Sequence, residues 1–156
     1  MVPFGLKESQ FFAHYRDLLD STSDAAVELL RALLARPLEA GVDSAEVEVF
    51  LGEYGAAPDL WMYFHGKSRR VSRSDPSLFP GRSLPLSLDL STLSEFDEQY
   101  FEAQFPGCDL AANAIKAWFS ACWHEAGGAT YRVPVTLAVH DGFGDGKVVV
   151  LCKGDG

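Results

Sequence analysis

The chain of 156 residues is short of cations, of pairable cysteines and of long apolar runs. Thirteen Lys and Arg face twenty-two Asp and Glu, for a net charge of −9. A chain of that sign is repelled by phosphate backbones unless its cations are gathered in one place, which disfavours nucleic acid as the main ligand. The three cysteines, Cys108, Cys122 and Cys152, are an odd number, and none stands in a C-x-x-C pair. That spacing speaks against zinc and thioredoxin-like chemistry and suits reduced thiols in a cytoplasmic protein. No uncharged apolar run approaches the ~18 residues of a membrane helix. Residues 1–15 hold one lysine and no apolar stretch of signal-peptide length.

Catalytic signatures are lacking too. No G-x-S-x-G elbow occurs. His124-Glu125 runs on into Ala-Gly-Gly, so the second histidine of H-E-x-x-H is missing. Asp141 and Asp145 with Gly146 fail the calcium-loop spacing, because position 143 is Phe and no glutamate follows at the twelfth place. The glycines at 127–128 and 142–146 join or precede strands, whereas a phosphate-binding loop opens a helix. An acyl-CoA-dependent acetyltransferase fails on the same ground: the segment STLSEFDEQ after the third strand has no glycine-rich turn.

What is present is globular. An apolar fraction of 47% with 22% charged residues excludes disordered, collagen-like and coiled-coil chains. The cations are unevenly spread. Lys67, Arg69, Arg70, Arg73 and Arg82 fall within residues 67–82 beside one acid, Asp75, a net +4 that leaves −13 on the rest of a chain totalling −9. This stretch is also the longest without periodicity, beyond the ~12–15 residues usual for a structureless connection.

Periodicity predicts the elements. Residues 6–20 space Phe11, Phe12, Tyr15, Leu18 and Leu19 as a helix, and Thr22 or Ser23 opens a second that Pro37 and Gly41 end. Residues 45–51 then alternate as a half-buried strand, with Glu46 and Glu48 between Ala45, Val47 and Val49. Residues 60–65 form a strand apolar on both faces, as expected of a central one. Leu84, Leu86, Leu88 and Leu90 make a third strand. Ser94 begins a helix carrying Tyr100, Phe101 and Phe105, and residues 109–126 form the longest helix, capped by Gly127-Gly128. A hairpin of 133–139 and 147–152 closes the chain. The order ααβββααββ over residues 1–156 reads as a single α+β domain, a five-stranded, mainly antiparallel sheet with helices packed on one face.

Three functions compete. The first is a protein-binding domain whose acidic and aromatic surface meets a basic partner through Glu46, Glu48, Trp61 and Tyr63, with Arg69, Arg70 and Arg73 able to grip an anionic group. It depends on register: Trp61 and Tyr63 either stand beside Glu46 and Glu48 or are buried against Val47 and Val49, and both registers stay open. The second is metal-assisted hydrolysis by His124, Glu125, His140 and Asp141, if the fold gathers them. The third is a small-ligand pocket between sheet and helices lined by Trp118, Phe119 and Trp123. The first calls for no cofactor, metal or catalytic residue. In being small, acidic, α+β and without a catalytic motif, the chain is similar to bacterial toxin-immunity proteins, which implies a neutralising or adaptor role.

Overall fold

The computed structural model describes residues 1–38, 41–53, 56–66 and 83–154. Two amphipathic helices, α1 (Glu8–Asp20) and α2 (Ser23–Leu34), form the expected hairpin, followed by strands β1 (Val42–Phe50), β2 (Asp59–Gly66) and β3 (Ser83–Leu86). The long helix α3 (Gly107–Glu125) comes next, and β4 (Pro134–Val139) and β5 (Val149–Lys153) end the fold. The five strands lie in the order β3-β2-β1-β4-β5. Three of the four neighbouring pairs are antiparallel and the fourth, β1 with β4, is parallel. The sheet is therefore mixed. No helix among the described residues is long and apolar enough to cross a membrane.

Alternation along the strands sets which face is covered. Ala45, Val47 and Val49, Leu60, Met62 and Phe64, and Val135, Leu137 and Val139 are all buried. Helix α3 brings Ile115, Trp118, Phe119, Cys122 and Trp123 into the same core. Trp118 also donates its indole N–H to Ser23 Oγ at 3.0 Å, tying α3 to the start of α2. Gly127 ends α3 at φ 93°, the left-handed conformation expected there.

Two expectations are corrected. The helix expected from Ser94 is absent. In its place stand two 3-10 turns, Ser91–Glu95 and Glu98–Phe101, separated by extended Phe96. The N-terminal segment draws the backbone out: Val2 N–H donates to the Glu95 carbonyl at 2.6 Å and Asp97 N–H donates to the Val2 carbonyl at 2.9 Å. Tyr100, Phe101 and Phe105, spaced for a helix face, instead ring Phe11 at 5.1, 5.9 and 5.5 Å between centroids, and Phe96 joins them at 4.8 Å. Such pairs add to area burial alone. The third strand is likewise shorter than its leucine alternation implies. Leu88 N–H closes a three-residue turn on the Leu86 carbonyl at 2.7 Å, which bends the chain off the sheet while Leu90 still reaches the core.

One stripe of α3 fixes the β4–β5 connection. Gly144 N–H donates to Asp109 Oδ1 at 2.8 Å and Asp145 N–H to Asn113 Oδ1 at 3.0 Å. One turn further along, the buried Lys116 ammonium pairs with the Asp145 carboxylate and donates to the Lys147 carbonyl at 3.1 Å. Positions i, i+4 and i+7 share a helix face, so the three polar side chains present one docking edge to the loop. Glycine at 144 is required on two counts: its φ is 84°, and a Cβ there would stand 2.5 Å from Asn113 Oδ1.

Candidate functional site

The helices cover one face of the sheet, and the other carries the side chains of interest. Glu46 pairs with Tyr63 and Glu48 with Trp61 across the β1–β2 ladder. The register that would bury Trp61 and Tyr63 against Val47 and Val49 is overturned: those valines pair with Met62 and Leu60 instead. Trp61 and Tyr63 are half-buried on the open face. Burial pushes the Tyr63 phenol above its ordinary value, and the nearby carboxylates of Glu48 and Glu46 push it the same way.

Two imidazoles attend the two carboxylates. His65 Nε2 lies 3.3 Å from Glu46 Oε1 within the β1–β2 pair. On the other flank, parallel pairing sets Val49 beside Val139 and so brings His140, the next residue after β4, to β1. His140 Nδ1 is 2.9 Å from Glu48 Oε1, its Nε2 is 3.5 Å from Asp141 Oδ1, and its ring lies 4.8 Å from that of Phe50. The hydrogen bond to Glu48 holds the His140 imidazole above its ordinary value, with Asp141 adding to the effect. His65 and Phe50 are members of this patch that residue patterning did not single out. Asp59, opposite Phe50, adds a third carboxylate to the same face.

Charge on this face has one prevailing sign. Among the described residues of the five strands the single Lys or Arg is Lys153, at the far end of edge strand β5. Glu46, Glu48 and Asp59 therefore stand with no lysine or arginine on their own or neighbouring strands. Their surroundings are aromatic, a setting in which a desolvated cation gains both Coulomb and cation–π energy. At the β5 edge, Val148 and Val150 are 59% and 57% exposed, which extends an apolar rim beyond the acidic centre. Arg69, Arg70 and Arg73 lie outside the described residues.

The other two candidate sets separate. His140 and Asp141 precede the loop that bonds to Asp109 and Asn113 near the start of α3. His124 lies fifteen residues beyond Asp109, about 22 Å along a helix axis. Histidines and carboxylates so placed cannot share an ion held at ~2–2.6 Å. Among the described residues no three His, Cys, Asp or Glu side chains could hold a metal ion together. Trp118, Phe119 and Trp123 are fully buried and fill the space between sheet and helices as core.

No known family model matches the chain, and neither a curated protein nor a solved structure shows significant similarity to it.

Proposed function

We propose that the chain is a cytoplasmic protein-binding domain, neutralising or adaptor in kind, that takes a basic segment of a partner protein on the open face of its sheet. The observation that carries this reading is the β1–β2 register, which sets Trp61 and Tyr63 half-buried beside Glu46 and Glu48 on a face that no helix of the described residues covers. Aromatic rings supply contact area at little entropic cost, and fixed carboxylates choose the sign of the partner. An arginine side chain suits the spot best, since its planar guanidinium can stack on Trp61 while donating to Glu48. The −13 carried outside residues 67–82 speeds encounter with any basic surface.

Trp61 is the one partly exposed tryptophan of three, Trp118 and Trp123 being at 1% and 0%. Its emission therefore reports on the face directly. Titration with an arginine-rich peptide should shield Trp61 from iodide quenching, with affinity falling as salt rises from 50 to 300 mM. The double substitution Glu46→Gln with Glu48→Gln should weaken binding by about tenfold or more. Shielding that is unchanged in that variant, or that is absent at low salt, would overturn the reading.

A further inference from the structure

Three Asp-Gly steps occur in the chain, at 141–142, 145–146 and 155–156, the last outside the described residues. An aspartate before glycine is where a side-chain carboxyl most easily reacts with its own backbone, because no Cβ on the next residue shields the amide nitrogen. The first two steps share the β4–β5 connection and stand four residues apart, so their sequence contexts are close to equal. Their structural settings are opposite.

Asp145 is held from several sides. Its carboxylate pairs with the buried Lys116 ammonium and accepts the Lys147 N–H at 2.9 Å, while its own N–H donates to Asn113. The contacts with Lys116 and Lys147 hold the Asp145 carboxyl below its ordinary value, which depletes the neutral acid that an amide nitrogen attacks. Asp141 is far less restrained. Its side chain is 70% exposed, and the one ion pair it makes among the described residues is with His140 Nε2 at 3.5 Å, beyond a well-formed hydrogen bond. The backbone is open as well. Asp141 is the one non-glycine among the described residues at positive φ, 65°, a conformation that an L-residue adopts at a cost. Gly142 follows at φ 72°, with nothing within 4 Å of the place where a Cβ would stand. The peptide joining the two thus has open space at Gly142 in which to turn.

We propose that Asp141 is a site of spontaneous isomerisation to isoaspartate in the folded protein, and that Asp145 is protected from the same reaction by Lys116 and Lys147. The Gly142 nitrogen attacks Asp141 Cγ and forms an N–Cγ bond. One carboxyl oxygen leaves as water, carrying the proton of the neutral acid and the amide proton. One water then opens the five-membered imide. Breaking the N–Cγ bond restores aspartate, whereas breaking the bond from nitrogen to the Asp141 carbonyl carbon leaves the chain running through Cγ. The mass is unchanged. The main chain gains one carbon directly after His140, and the free carboxylate moves onto Cα.

Ageing the protein for four weeks at 37 °C and pH 6 in H₂¹⁸O marks each imide opening with one ¹⁸O atom. Trypsin then releases residues 133–147, which carry both sites, and electron-transfer fragmentation locates the label and the isoaspartate. We expect label at Asp141 to exceed that at Asp145 several-fold in the folded protein. In guanidinium chloride, where only the sequence acts, the two sites should take up similar amounts. Asp141→Glu, whose longer side chain would have to close a six-membered ring, should abolish label at that position. Equal labelling of the two sites in the folded protein, no label at Asp141 there, or a preference for Asp141 that persists undiminished in guanidinium chloride would overturn the inference.

Discussion

Strand β2 places two rows of large apolar side chains on opposite faces of one sheet, and the two rows have different fates. Leu60, Met62 and Phe64 are 2%, 0% and 1% exposed beneath the helices, whereas Trp61 and Tyr63 remain half-buried with His65 exposed beside them. Hydrophobicity of β2 itself does not separate the rows, since Trp and Tyr bury as much area as Met and Leu. The neighbour decides. Strand β1 carries valines on one face and glutamates on the other, and burying Glu46 and Glu48 under a helix would cost far more than burying Trp61 could return. A strand with a polar row thus orients the strand beside it, and the aromatic residues left outside become available to a partner.

The sharpest way to break this contrast is to truncate neighbouring residues from each row. Met62→Ala should destabilise the domain by about 2–5 kcal/mol, because transfer energy is lost and a cavity remains in a closed core. Trp61→Ala should cost under half of that in the same urea unfolding measurement, although it removes more atoms. Comparable losses would mean that the open face is covered in solution. An isosteric pair sharpens the point with less disruption. Val47→Thr puts a hydroxyl into a site with 0% exposure and should cost about 1–3 kcal/mol. Val150→Thr, at 57% exposure, should stay within about 0.5 kcal/mol of the parent in thermal and chemical unfolding.

How much of this was legible beforehand follows from the range of the interactions. The three long helices and five strands were readable because their signals are local: the 3.6-residue spacing of Phe11, Tyr15 and Leu19, the two-residue spacing of Val47 and Val49, and Gly127-Gly128 at the end of α3. The segment at 94–105 misled for a non-local reason. Its aromatic spacing suits a helix, but Val2, ninety-four residues before Phe96, supplies backbone partners that only an extended Phe96 can meet. Glu46, Glu48, Trp61 and Tyr63 were legible as a set, and their register was not, because β2 is apolar on both faces. His65 could have been found by extending the alternation of 61 and 63 by two. His140 could not, since its approach to Glu48 requires the parallel β1–β4 pairing that brings together residues ninety-two apart.

The smallest expected effect tests the open face at its most polar point. The hydrogen bond to Glu48 favours the protonated form of His140, so this pairing stabilises the fold most fully at pH below the ordinary imidazole value. The contribution fades as pH rises through the raised value in the folded protein. Glu48→Gln keeps the shape and an acceptor oxygen but removes the charge. In ¹H–¹⁵N titrations of the imidazoles, His140 should then titrate at lower pH than in the parent. Global stability should change little, because the ring is half-exposed and salt screens it. A loss of stability approaching that of Met62→Ala would show the carboxylate to be structural and would erase the distinction between the faces. An unmoved His140 titration would show that the imidazole–Glu48 contact does not persist in solution, leaving Glu48 free to meet a partner without first releasing a histidine.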